Sequence, residues 1–381
     1  MDPMHITSRR SGAVVPIPGG LHAFTPHHLP PVIEIDREML SLLSLAERAL
    51  GGLDAAVGML PTPDLVLSPL LYGELSASCR IEGAKMGWDE ALQLVLEEVC
   101  EDCEEHDILS CLDMLKVGQT DLASVPFTAK LIQRLHFGVM SGARGAHASP
   151  GDYRQIQVFV GARQNRLSTA SYVPPPQQEV SGLMADLERY ACEDHALPPL
   201  LQCAILHAQF EMIHPFRDGN GKLGRLLMGL FLFSRRALRH PVLMLSPYFE
   251  RNRREYYHLL RGVSHYGEWE KWLLFFLDAV VRQSREALET VQHIAALREE
   301  TRNRLIAARA TDTIFRLLDT LLENPYVTTS YVTQKLGVTV PTARGALAVL
   351  QNLGFIEEIT GRKRGQRFCA TAVVDAVVKH D

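Results

Sequence analysis

The sequence predicts a mainly α-helical chain, with one small β-hairpin in its body and a second helical unit at the C-terminus that ends in a basic hairpin. Three observations lead there. Apolar residues recur at helical spacing through most of 36–309. Period-two alternation is clear only at 153–176 and again after Gly354. After about residue 310 the order becomes helix, helix-turn-helix, hairpin. A chain of 381 residues with 46% hydrophobic and 22% charged residues is long enough for two or three domains and a sizeable core. Its net charge of -5, from 39 Lys+Arg against 44 Asp+Glu, supplies no global basic field, so a nucleic acid would have to be met by a local patch.

Residues 1–35, rich in Pro, Gly and His, read as an extended arm that lies on the body or stays mobile. The arm contains no uninterrupted apolar run, and no later stretch approaches the roughly 18 apolar residues of a membrane span; the expectation is a cytoplasmic protein with no membrane partner. Asp36 is placed to cap a helix carrying Leu40, Leu43 and Leu50, closed by Gly51-Gly52, and Ser68-Pro69 to open the next, through Leu71 and Leu75 toward Arg80. Helical spacing continues through 89–117 and 128–140. Seven cysteines, an odd number, suit a reducing compartment. Cys100 and Cys103, with His106 and Cys111 nearby, lack the second ligand pair of a structural zinc site and fit one acidic helix instead.

In YRQIQVFVGARQNRLSTASYVPPP (153–176), Ile156, Val158 and Val160 alternate with Gln155, Gln157 and Phe159, a hairpin pattern. Helices are expected at 177–192, 198–213, 221–239, 249–264 and from 268 onward, with the charged stretch 280–309 as a connector. A helix at 312–323, a short helix at 328–336, the turn Leu336-Gly337-Val338, a helix at 340–353 and two strands around Gly-Arg-Lys-Arg-Gly together resemble a winged helix-turn-helix. Residues 311–381 carry eight Lys+Arg against seven Asp+Glu, with the positive charge gathered at Arg362, Lys363, Arg364 and Arg367. That footprint leaves DNA binding and protein docking or homodimerisation both open.

The segment richest in chemistry is HPFRDGNGKLGR, 214–225. Asn220 is a plausible N-cap of the apolar helix that follows, and the backbone N–H groups of Gly219-Asn220-Gly221 would form an anion cradle at its N-terminus. Lys222 and Arg225 stand within reach of the same anion. A carboxylate at Asp218, beside phosphates, calls for a cation such as Mg²⁺, which takes one or two carboxylates and completes its shell with phosphate oxygens and water. His214, with an ordinary pKa near 6.5, can serve as a neutral base. His207, on the preceding apolar helix, reads as a core residue.

This segment resembles the active-site signature of the Fic family, HxFx(D/E)GNGRxxR, with Lys222 where the family commonly has Arg. Residues 131–153, 155–176, NRREYYHLL and GEWEKWLLFFL extend the resemblance over roughly 116–290. It implies a Fic-type helical core that transfers AMP from ATP to a Ser, Thr or Tyr hydroxyl of a target protein or of itself. His214 would be the base and Asp218 the Mg²⁺ ligand. Gly219, Asn220, Gly221, Lys222, Leu223, Gly224 and Arg225 would bind the phosphates, with Asn252 and Tyr257 at the adenine. The flap near 155–172 would hold the target by strand addition. Ser78-Cys79-Arg80-Ile81-Glu82-Gly83 resembles the family's inhibitory motif, (S/T)xxxE(G/N), so that Ser78, Glu82 and Gly83 are candidate inhibitory residues with Glu82 competing for Arg225. The same site would also suit a deAMPylase or another phosphate-group transferase, and a nucleotide-sensing DNA-binding regulator is the rival of a different class. The expected division is 1–115 for the arm and inhibitory region, 116–290 for the catalytic core, 291–310 for the connector and 311–381 for the winged-helix-like unit.

Overall fold

The computed structural model describes residues 8–85, 104–141, 149–161 and 170–378, with Gly87, Glu90 and Gln93 between them. Its arm is more ordered than its composition suggests. Strands β1 (Gly12–Ile17) and β2 (Leu21–Pro26) pair antiparallel, from Gly12 opposite Pro26 to Ile17 opposite Leu21, around a turn in which Gly19 and Gly20 take positive φ. The hairpin lies on the body. Ala23 and Phe24 are fully buried, Phe24 N–H donates to Val173 O (2.9 Å), and Gln209 Nε2 donates to His27 O (2.8 Å).

Helix α1 (Arg37–Gly58) starts where expected, with Asp36 accepting from Met39 N at 2.8 Å. It does not stop at Gly51-Gly52 but runs one and a half turns further, because Leu50, Leu53 and Val57 continue the stripe that α1 lays along α10 (Trp269–Ala307). Two mid-helix glycines cost about 1 kcal/mol each, less than about 1.5–3 kcal/mol for each buried Leu or Val side chain. Helix α2 (Asp64–Ile81) begins four residues before Ser68-Pro69 and carries Pro69 inside it. It is buried almost all round, packed on α3 (Glu104–Leu122), α7 (Asn220–Ser234), α8 (Ser246–Arg251), α10, α11 (Asp312–Glu323) and α14 (Thr371–Val378).

Helices α4 (Ala129–Val139), α5 (Gln177–Cys192), α6 (Pro199–Ile213) and α9 (Arg253–Tyr266) complete the body. Every residue of α6 from Leu200 to Ile213 except Glu211 is buried, so the helix lacks an amphipathic stripe and is central, touched by α5, α7, α9, α10 and β2. The expected hairpin at 153–176 is reduced, among the described residues, to a single antiparallel bridge between Val160 and Tyr172; its turn, 162–169, lies outside them. Polar anchoring replaces a ladder there. Arg154 donates from Nε to His214 O (2.8 Å) and from Nη2 to Pro175 O (2.6 Å), and Gln157 Nε2 donates to Pro174 O (2.8 Å). Cys100 and Cys103 also lie outside the described residues, while Cys111 is a buried free thiol.

Residues 280–307 of the stretch 280–309 are the outer part of α10, one continuous helix of 39 residues. Beyond it α11 is followed by β3 (Tyr326–Thr328), α12 (Thr329–Leu336), α13 (Val340–Asn352), β4 (Glu357–Glu358), β5 (Arg367–Cys369) and α14. The sheet order is β3-β5-β4, antiparallel, with Val327 opposite Phe368 and Glu358 opposite Phe368. The connector does not hold this unit away from the body, since α11 and α14 pack on α2 and Thr290 Oγ1 donates to Ala376 O at 3.3 Å.

Candidate active site

Helix α6 ends at His214, whose left-handed backbone (φ 49°) and following proline prevent another turn. Phe216, fully buried, stacks on His136 with ring centroids 3.7 Å apart. His136 in turn accepts from Gly151 N–H at Nδ1 (2.9 Å) and meets Asp218 O at Nε2 (3.0 Å), fixing the back of the loop. Asn220 is not the N-cap but the first residue of α7. Its Oδ1 accepts from Phe216 N and its Nδ2 donates to Phe216 O, both at 2.9 Å, tying loop and helix together. The cap position falls to Gly219 (φ 73°), which offers no side chain, so the first N–H groups of α7 are left without a side-chain acceptor.

His214, Gly221 and Arg225 face one cavity of about 420 Å³, closed by Glu82, Glu211, Met212, Tyr256 and Tyr257 and opened at the flap by Val160, Gly161 and Ser171. Burial and the neighbouring Arg154 guanidinium push the His214 imidazole down to about 4, which leaves it neutral at pH 7. Arg225 is buried and held by the end of α2 and the residue that follows it. Its Nε donates to Ser78 Oγ (2.8 Å), and its Nη2 donates to Ser78 O (2.9 Å) and Glu82 Oε1 (3.0 Å). Burial opposes its charge, but Glu82, the Tyr256 and Tyr257 hydroxyls and Glu211 hold its pKa above the usual value. Gly221 is needed for this contact, because a Cβ there would stand 2.1 Å from Glu82 Oε1. Gly83, just beyond, takes φ 99° and lets the chain leave α2.

Other expected residues are placed differently. Lys222 turns to α3 and pairs with Asp107 at 2.6 Å, a partner 115 positions away that sequence spacing could not reveal. Leu223 is fully buried in the core, and Gly224 contributes its carbonyl to His207 Nδ1 (3.1 Å). His207 is the core residue expected, with Nε2 2.8 Å from Tyr256 Oη and its pKa pushed down to about 3 by burial. Tyr257 lines the cavity and its hydroxyl reaches Ile81 O at 3.4 Å, whereas Asn252 turns its amide onto Tyr248 O (2.9 Å) and is not among the lining residues. Asp218 is exposed on the turn, with Oδ1 accepting from Gly219 N–H at 2.7 Å. Among the described residues no three His, Cys, Asp or Glu side chains converge on a common point.

Two residues escaped the sequence reading. Glu211 sits in the cavity one turn before His214, and burial raises its carboxyl to about 7 despite Arg225. Its Oε1 and the Nη1 of Arg225 are buried without a partner. An isolated carboxylate on an otherwise apolar helix was the available signal. Arg154, which clamps the His214 carbonyl, carried none beyond being an arginine in a β-like stretch.

A neutral histidine at a helix end and a buried arginine thus line one cavity beside the uncapped first turn of the next helix, an arrangement whose chemistry suits an anionic group beside a base. The chain matches the Fic/DOC family over residues 126–232 and the Fic/DOC family N-terminal region over residues 40–118. It is 31% identical over 182 residues to a Drosophila yakuba protein named protein adenylyltransferase Fic, a match covering 46% of this chain and 32% of that one, so it spans about a third of that relative's length. Its fold is similar to that of a Fic family protein from Desulfovibrio desulfuricans G20 (22% identity, TM-score 0.59, covering 90% of this chain and 98% of that one). It is also similar to Fic-1 from C. elegans (18% identity, TM-score 0.51, 68% and 74% covered).

Proposed function

We propose that this site transfers AMP from ATP to a hydroxyl of a protein segment, on a target or on the chain itself, and that Glu82 restrains it. The observation that carries the reading is the neutral His214 opening into the same cavity as Arg225. A base of depressed pKa accepts the hydroxyl proton as the oxygen attacks the α-phosphorus; the bond from phosphorus to the bridging oxygen breaks and pyrophosphate leaves. Arg154 keeps the base on station through the His214 carbonyl, and the open first turn of α7 meets the phosphate charge. Tyr257 offers a face for the base ring. The flap near 155–172, closed at its base by the Val160–Tyr172 bridge, would align an extended acceptor segment by main-chain pairing along its edge.

Mg²⁺ fits one carboxylate plus phosphate oxygens. Asp218, exposed and with one oxygen uncommitted to the turn, is the residue that would hold it, and the ion would neutralise charge on the phosphates. Restraint follows from competition, since Glu82 and Ser78 occupy Arg225 donors that a terminal phosphate would use. Free cysteines suit a reducing cytoplasm. The deciding experiment incubates the protein with Mg²⁺ and ATP in host lysate, labelled at the α- or the γ-phosphate. Label from α alone supports adenylyl transfer; label from γ alone overturns it in favour of a kinase-like reaction.

A further inference from the structure

A cleft of about 840 Å³ opens on the C-terminal unit between the first turn of α12, helix α13 and the β4–β5 turn. Its lining includes Arg344, Lys363 and Arg364 with the hydroxyls of Thr329, Ser330 and Thr333, and no carboxylate among the described residues. The near balance of charge over 311–381 conceals this segregation. No acidic residue occurs from Asn324 to Ile356, and Asp312, Asp319 and Glu323 lie on α11. Asp319 and Glu323 are moreover occupied by Arg298 (2.9 Å) and Lys335 (3.6 Å).

Glu358, at the edge of the turn, is spent inwardly. It accepts from Thr360 N–H (2.9 Å), Gly361 N–H (2.8 Å) and the Thr360 hydroxyl, bracing a tip whose Gly361 and Gly365 take positive φ. The tip thereby presents Arg362, Lys363 and Arg364 to solvent. Helix α13 turns Ala343, Ala346, Leu347 and Leu350 inward and leaves Arg344, Gly345, Ala348, Gln351 and Asn352 exposed along one side. Small residues allow close approach along that side, and Arg, Gln and Asn are the side chains that read base edges. An acidic peptide would want apolar anchors, and α13 exposes only Val340 among large hydrophobics.

We propose that the C-terminal unit binds double-stranded DNA, with the exposed side of α13 in the major groove and the Arg362–Arg364 turn on the adjacent phosphates. The inference is independent of the transferase reading. The test measures fluorescence anisotropy of a labelled mixed-sequence duplex of about 20 bp, roughly two helical turns, against the full chain over a salt series. The three cations of the turn on phosphates give a slope of log K against log salt of about -2.7. Reversing R362E/K363E/R364E should flatten the slope by about 2.7 and weaken binding at low salt by at least about tenfold. Circular dichroism checks that this exposed-turn variant is folded, and Arg344→Ala, expected to reduce affinity with the turn intact, is the second variant. Absence of saturable binding, equal affinity of the triple variant, or equal or tighter binding of single-stranded RNA or poly-glutamate overturns the proposal.

Discussion

Replacing Glu82 by glycine would separate the proposed restraint of the site from its proposed chemistry. In the folded chain Glu82 contributes one charge-assisted bond, 3.0 Å, to an Arg225 side chain that is 1% exposed, while its own side chain is 37% exposed. A hydrogen bond to a charged group is worth about 1.5–3 kcal/mol, and solvent screening at the exposed partner reduces this to roughly 1–2 kcal/mol. Ser78 still holds Arg225 by two bonds, so Glu82→Gly should fold and melt cooperatively with a slightly lower Tm. Saturation at about 100 times Kd adds about 2.7 kcal/mol to any nucleotide-binding fold, but the parent must first surrender the Glu82 contact and so gains less than the variant. Release of the guanidinium should also realign the triphosphate. A misplacement of about 1 Å costs roughly 10²-fold, so self-labelling from α-labelled ATP should rise by about that factor. Glu82→Gln, which keeps a neutral hydrogen bond, should fall between. The assays are thermal shift with and without ATP and autoradiography. A cooperatively folded Glu82→Gly protein that labels itself no faster and gains no extra ATP stabilisation would refute competition for Arg225.

His214→Ala should keep the ATP-dependent thermal shift while losing about 10²–10⁴ of the labelling rate, and wild-type turnover would remove His214 from the mechanism. Because the folded pKa of His214, about 4, lies below its ordinary 6.5, the stability it contributes is present above pH 6.5 and is lost as pH falls toward 4; the acid limb of His214→Ala melting curves should be shallower than the parent's. Glu211 runs the other way: raised to about 7, its contribution is full below pH 4.5 and is lost as pH rises through 7, by at most about 3 kcal/mol. Glu211→Gln should therefore stabilise more at pH 8 than at pH 5, and an equal Tm difference at both would count against a buried titrating carboxyl. Deleting 311–381 should lower Tm and raise self-labelling, because α11 and α14 cover α2; a truncated chain as stable and as restrained as the parent would show that this cover is idle.

The loop 214–225 stands out in the sequence because it gathers a histidine, a carboxylate, an amide, glycines and cations within twelve positions, whereas Ser78, Glu82 and Gly83 are singled out only through the resemblance to a family motif. Helix boundaries were less legible where packing outweighs local preference, as at Gly51-Gly52, or where the decisive partner is distant, as with Lys222 and Asp107. The β1–β2 hairpin had a signal in Pro18-Gly19-Gly20, but its pairing depends on a dock at Val173 that no local pattern announces. At 153–160 the alternation was real, but among the described residues the pairing is one bridge, and the carbonyls of Pro174 and Pro175 accept from the Gln157 and Arg154 side chains rather than from a facing strand.

Helix α2 is a partition between the end of the cavity at Arg225 and the helices of the C-terminal unit. Its last turn meets Arg225 through Ser78, and Glu82 follows at its end, while its outer side is covered by α11 and α14. Its middle is pinned at Glu74, which accepts from Ser246 N–H at 2.8 Å and whose carboxyl burial raises to about 7. A wall of this kind cannot tilt for one tenant alone. Any ligand of the C-terminal unit that prefers one seating of α2 changes the affinity for nucleotide by some factor, and linkage requires nucleotide to change the affinity for that ligand by the same factor. A measured effect of ATP on binding at the far unit would thus report, from a distance of several helices, how firmly Glu82 is seated.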